Sequence, residues 1–174
     1  DGNTSDRLGS SLSLSSDGIT LVIKKGVDNG LNFFGVFKYR TVTKTEWDGT
    51  TKNIIKGNDT WVKDTTDLSN NPKSAKKYWV QLGEDIDGEN KDDNSGFSVS
   101  LSSDGTTLAI GAPGKPWNNV RGYVRVYSWN GTLTKPAWEK LGEDIQGEAD
   151  DRSGHVVSLS SDGTILAIGA PDNN

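Results

Sequence analysis

Ser95-Gly96-Phe97-Ser98-Val99-Ser100-Leu101-Ser102-Ser103-Asp104-Gly105-Thr106-Thr107-Leu108-Ala109-Ile110-Gly111-Ala112-Pro113 returns with few changes as Ser153-Gly154-His155-Val156-Val157-Ser158-Leu159-Ser160-Ser161-Asp162-Gly163-Thr164-Ile165-Leu166-Ala167-Ile168-Gly169-Ala170-Pro171. The offset from Ser95 to Ser153 is 58. A weaker copy, Gly9-Ser10-Ser11-Leu12-Ser13-Leu14-Ser15-Ser16-Asp17-Gly18-Ile19-Thr20-Leu21-Val22-Ile23, begins 87 residues before the first (Gly9 to Gly96). A second signature agrees: Trp79-Val80-Gln81-Leu82-Gly83-Glu84-Asp85-Ile86-Asp87-Gly88-Glu89 recurs as Trp138-Glu139-Lys140-Leu141-Gly142-Glu143-Asp144-Ile145-Gln146-Gly147-Glu148, 59 later (Trp79 to Trp138). Self-similarity at one period identifies a repeat architecture. The longer first spacing places an insertion at roughly 45–73 in the first unit.

Within one unit the local signals are those of strands. Phe97, Val99 and Leu101 alternate with Ser98, Ser100 and Ser102, the period of a strand with one apolar face. Ser103-Asp104-Gly105-Thr106 supplies a tight hairpin, since Asp bonds nearby amides and Gly accepts a positive φ. Asp17-Gly18 and Asp162-Gly163 make the same turn. Leu108 to Ala112 forms a second strand, with Leu108 and Ile110 on one face and the small Ala109 and Gly111 on the other. Gly122 to Trp129 forms a third, left through Asn130-Gly131. Trp138 to Ile145 forms a charged outer fourth, broken by Gly142. Lys24-Lys25 replace Gly111-Ala112 in the first unit, a divergence where close packing is expected.

Four antiparallel strands in a tandem unit of about 60 residues predict an all-β chain of β-propeller blades. One blade cannot bury both faces, so it stacks on its copies. The repeats run 5–88, 93–147 and 151–174, the last incomplete, or about two and a half blades. The chain lacks an initiator Met and a signal peptide and stops within a repeat, so we expect a partial propeller whose other blades belong to a parent chain.

Composition removes several function classes. Without Cys there is no disulfide framework, Cys-based zinc site or thiol nucleophile. Apolar runs are far shorter than a membrane span needs, so no membrane insertion by this segment is expected. The net charge is −5 and the lysines are scattered, which argues against nucleic acid as a partner.

At these residues the sequence resembles the FG-GAP repeats of the integrin α-subunit propeller and its relatives in surface proteins. Ser95-Gly96-Phe97-Ser98-Val99 is similar to the family's Phe-Gly opening in Gly-Phe order, and Leu108 to Pro113 and Leu166 to Pro171 match its Gly-Ala-Pro closing. The resemblance covers nearly the whole chain except the insertion. It implies a seven-bladed propeller, an extracellular or cell-surface location, a role in recognition or adhesion, and protein or glycan ligands.

Many members of that family carry calcium in the first hairpin. Here each loop keeps one carboxylate, Asp17, Asp104 or Asp162, against the six to eight oxygens calcium takes, so these are read as structural turns. No cofactor is expected in this segment, and calcium is left to other parts of the parent protein. The acidic run from Asp85 to Asn94 offers Asp87, Glu89, Asp92 and Asp93 as weak metal candidates. It lacks a calcium-loop glycine and is read as a solvated connection between blades. His155, the only histidine, fills the slot of Phe97 and is read as packing; with no Gly-x-Ser-x-Gly, no catalytic residue is expected. The insertion carries Trp47 and Trp61, which suit a glycan or protein contact or the packing of an extra hairpin. The expected function is thus a non-catalytic recognition module whose partners are neighbouring blades and a loop-bound ligand. The alternatives are the propeller part of a secreted hydrolase whose active site lies outside this segment, and an intracellular scaffold.

Overall fold

The computed structural model describes residues 9–28, 31–41, 77–91, 93–114, 121–131 and 136–173. Among them every regular element is a strand, all strand pairs are antiparallel, and no helix occurs. The predicted insertion at 45–73, with Trp47 and Trp61, lies outside the described residues.

The first sheet contains β1 (Leu12–Leu14), β2 (Thr20–Asp28), β3 (Leu31–Thr41) and β4 (Lys77–Gln81) in that order, with β5 (Ile86–Asp87) also on β3. The second repeats the plan: β6 (Ser98–Leu101), β7 (Thr107–Ala112) and β8 (Arg121–Asn130) run side by side, and β8 carries both β9 (Ala137–Lys140) and β10 (Ile145–Ala149). The third consists of β11 (Val156–Leu159) and β12 (Leu166–Gly169). The fourth strand of a unit is therefore two short pieces on one neighbour. The break falls at Gly83 in the first sheet and Gly142 in the second, both with positive φ.

Each β1–β2 type hairpin closes on its Asp-Gly pair. Gly18, Gly105 and Gly163 have φ of +70°, +69° and +71°, a conformation that a Cβ opposes. Before each hairpin lies the serine-bearing strand, and its serines have a definite task. Ser11 Oγ donates to Gly96 O at 2.5 Å, and Leu101 N–H donates to Ser13 Oγ at 3.1 Å. One unit later Ser98 Oγ donates to Gly154 O at 2.8 Å, and Leu159 N–H donates to Ser100 Oγ at 3.0 Å. The polar face of the first strand of a sheet thus satisfies backbone groups of the next sheet that would otherwise be buried unpaired.

The opposite faces supply the core. Val22, Phe34, Val36 and Ile86 of the first sheet pack on Leu101, Leu108 and Ile110 of the second. Ala109 and Val124 of the second pack on Val157 of the third, with Leu159, Leu166 and Ile168 around it. Complete burial of Leu108 is worth about 2 kcal/mol. The alternation of Leu108 and Ile110 with Ala109 assigns them to different junctions, as the sequence pattern predicts. Leu12 and Leu14 belong to the apolar face of β1 that corresponds to Val99 and Leu101, yet they are 58% and 51% exposed, because no described sheet covers that side. Phe97 departs from expectation: it is 50% exposed and precedes the strand, so it does not complete the apolar face of β6. Its ring instead lies 4.6 Å from that of His155.

Candidate functional site

Among the described residues polar side chains concentrate at the Asp-Gly hairpins, at the connections that carry the acidic runs and at the break in the fourth strand. In the hairpins, Asp17 Oδ1 accepts from Ser15 Oγ at 2.6 Å and Ile19 N–H at 2.9 Å. Asp104 Oδ1 accepts from Ser102 Oγ and Thr106 N–H at 2.6 and 3.0 Å, and its Oδ2 from Thr106 Oγ1 at 2.8 Å. Asp162 Oδ1 accepts from Ser160 Oγ, Thr164 N–H and Thr164 Oγ1 at 2.6, 3.1 and 2.8 Å. Hydrogen bonds to the ionised form stabilise it. Ser160 and Thr164 bring Asp162 down to about 2, and Asp17 and Asp104 are lowered from the same cause, the serine bond first. Each carboxylate holds its own turn, and the turns hold one another: Ser16 N–H donates to Ser103 O at 3.1 Å, and Ser103 N–H to Ser161 O at 2.9 Å.

The acidic connection is exposed at Asp87, Glu89, Asn90 and Lys91, as a solvated link should be, but not at its last aspartate. Asp93 is 1% exposed, and its counterpart Asp151 is 4% exposed. Asp93 Oδ1 accepts from Ser95 N–H at 2.8 Å, and Oδ2 from the N–H groups of Glu89 and Asn90 and from the Tyr123 hydroxyl at 2.5 Å. Burial is affordable because the charge meets four donors, the condition under which a buried carboxylate is tolerated. Burial first, then Asp93, pushes the Tyr123 hydroxyl far above the usual tyrosine range, so it remains a donor. Of the other candidates, Asp87 is exposed on β5, Glu89 pairs with Arg125, and Asp92 lies outside the described residues. Among the described residues no three His, Asp or Glu side chains converge as a metal site.

A third arrangement was not foreseen from the sequence. Asp144, in the break between β9 and β10, takes a bidentate pair from Arg125 of β8, Nε and Nη2 each at 2.8 Å, and Lys140 adds a second cation. Arg125 is 6% exposed, lies over the Tyr123 ring at 4.8 Å, and also pairs with Glu89. The Arg125 bonds hold Asp144 at about 2 against the opposing effect of burial. In the first sheet the equivalent Asp85 is held by Lys25 of β2, with Nζ 3.0 and 2.9 Å from its two oxygens, and by Gln81 Nε2 at 2.7 Å. The available signal was the repeated Glu-Asp-Ile of the fourth strand together with a lone Arg between Val124 and Val126. Chemically these groups are neutralised clamps that fix the broken fourth strand to its sheet.

Further along, Trp138 Nε1 donates to Leu82 O of the preceding sheet at 3.1 Å, and its ring lies 5.5 Å from that of Trp129. Tyr39 and Trp79 form the matching pair in the first sheet, also at 5.5 Å. No helix among the described residues is long and apolar enough to cross a membrane. No protein-family model matches the chain, and no curated protein matches it.

Proposed function

We propose that the chain is a run of β-propeller blades of FG-GAP type that serves as a non-catalytic, extracellular or cell-surface recognition module, binding protein or glycan through its loops. The observation that carries the architectural part is the repeated junction: Ser11 and Ser13 bond the second sheet as Ser98 and Ser100 bond the third, with the same atoms in the same roles. A junction that repeats without change builds a stack in which every sheet has a neighbour on each face. Leu12 and Leu14 present on β1 the apolar face that Val99 and Leu101 present on β6, where it packs against the first sheet.

The recognition part is supported by where the ionisable groups are spent. Asp93, Asp144 and Asp151 accept internal N–H, O–H or guanidinium donors, and His155 packs on Phe97. A rigid scaffold of this kind leaves binding to what projects between its strands. The test is retention of the immobilised chain on a glycan and surface-protein panel. Trp47→Ala combined with Trp61→Ala is expected to abolish retention while the melting temperature moves by less than about 2 °C. Turnover of generic ester, glycoside or phosphate substrates by the purified chain would overturn the non-catalytic assignment.

A further inference from the structure

The fourth strand of the first sheet changes register where it breaks. β4 pairs with β3 from Phe37↔Gln81 to Thr41↔Lys77, and β5 pairs with the same strand at Phe34↔Ile86 and Phe33↔Asp87. Four residues, Leu82 to Asp85, therefore stand against two, Gly35 and Val36. Each strand carries a glycine there. Gly83 has φ of +75°, and Gly35 leaves the space that the Lys25 stem crosses. Such a bulge, with a left-handed glycine in it, turns more freely than the ladders on either side.

The two pieces of the strand are held differently. Beyond the break β5 is fixed within its own sheet: Ile86 is 8% exposed in the core, Gly88 N–H donates to Asn32 O at 2.7 Å, and Lys25 Nζ grips both oxygens of Asp85. Before the break, β4 has one buried side chain among those described, Val80, and Leu82 after it is half-buried. This end is held from outside the sheet. Trp138 Nε1 donates to Leu82 O at 3.1 Å, and Trp129 lies so close over the turn that a β-carbon on Gly83 would stand 3.1 Å from its Cζ3. Both tryptophans belong to the second sheet, one on β8 and one on β9. Gln81 adds a hold across the break, its Nε2 donating to Asp85 Oδ1 at 2.7 Å.

We propose that β4 is a hinged strap: it lifts from β3 by rotation at Gly83 while β5 stays paired, and the indole of Trp138 is the latch that the second sheet holds over it. Opening frees one edge of β3 from Phe37 to Thr41, parts Trp79 from Tyr39 and withdraws Leu82 from the core. The latch makes this a motion coupled between sheets, because whatever displaces Trp138 on β9 changes how readily β4 opens.

Native-state hydrogen exchange of the whole chain tests the device. Leu82 N–H donates to Val36 O, and bonded pairs alternate along an antiparallel ladder, so the Val80 amide is bonded to β3 as well. By the same rule Gly88 N–H on Asn32 O places the Ile86 amide on β3. In low concentrations of urea, exchange at Val80 and Leu82 should be nearly independent of denaturant, the mark of a local opening that exposes little surface, whereas exchange at Ile86 should rise steeply. Trp138→Phe keeps a ring and removes the indole N–H. It should speed exchange at Val80 and Leu82 about threefold to tenfold and leave Ile86 within about twofold. Equal urea dependence at Leu82 and Ile86 in the unsubstituted chain overturns the strap, whatever Trp138→Phe does to folding. Unchanged rates at Val80 and Leu82 in the variant, or equal acceleration at Ile86, overturn the latch.

Discussion

The side chain of Lys25 passes over Gly35: a β-carbon on Gly35 would stand 2.9 Å from Lys25 Cδ and 2.7 Å from Phe37 Cε2. Gly35 occupies the position that Arg125 holds in the second sheet, each paired across to an isoleucine, Ile23 or Ile110. The cation that anchors the fourth strand has thus moved from the third strand to the second, and the vacated position has become the space its stem crosses. The Lys24-Lys25 divergence is explained on that side: Lys25 is the replacement anchor for Asp85.

The exchange makes Lys25 and Gly35 energetically coupled. Lys25→Ala is expected to cost about 2 kcal/mol by depriving Asp85 of its cation. Gly35→Ala is expected to cost about 1–3 kcal/mol by pressing on Lys25 and Phe37. Combining Gly35→Ala with Lys25→Ala should cost less than the sum of the single changes by about 1 kcal/mol. Urea unfolding of the four species measures this, and strict additivity would show that Lys25 does not constrain position 35.

The junction serines predict a localised defect. Ser100→Ala leaves the Leu159 amide without its acceptor and is expected to cost about 1–2 kcal/mol. Hydrogen exchange at Leu159 should accelerate in this variant, while that at Leu101, held by Ser13, should not. Ser13→Ala should give the converse pattern.

Acid should unlock the fourth strand. Asp144 is held at about 2 by Arg125, below the unfolded value near 3.9. Its contribution to stability is therefore whole above pH ~4 and is lost as pH falls through ~2. Asp144→Asn is expected to lower stability at neutral pH and to make the decline between pH ~4 and ~2 shallower. An unchanged acid profile would mean that the Arg125 pair does not set it.

Alkali acts through the tyrosines. Tyr123 and Tyr127, two of four in the chain, are both raised, principally by burial. A group whose proton is held more tightly in the folded state lends stability that is present below the unfolded value near 10 and lost as pH rises through the folded value. Ultraviolet titration should show these two tyrosines ionising only as the chain unfolds. Tyr123→Phe should remove one of them from that step and cost about 1 kcal/mol through the lost bond to Asp93.

Local pattern made much of the strand plan legible. Alternation in Ser98 to Leu101, the Asp-Gly turns and the break at Gly142 are properties of neighbouring residues, and each recurs where the spacing places it. Arg125 with Asp144 and Lys25 with Asp85 were not legible, because each partner depends on strand register and the cation changes strand between sheets. Burial of Asp93 was hidden for a related reason. A run of acidic letters reads as solvated, and only the fold brings Tyr123, Ser95 and two connector amides onto one of them.

The serine bonds also have a direction along the chain. At both junctions the hydroxyl belongs to the earlier sheet and the backbone group it satisfies to the later one. During synthesis from the N-terminus, each finished sheet therefore displays its serine hydroxyls before their partners emerge from the ribosome. The two junctions thus share one polarity, and a sheet placed out of chain order would meet hydroxyls whose backbone partners lie elsewhere.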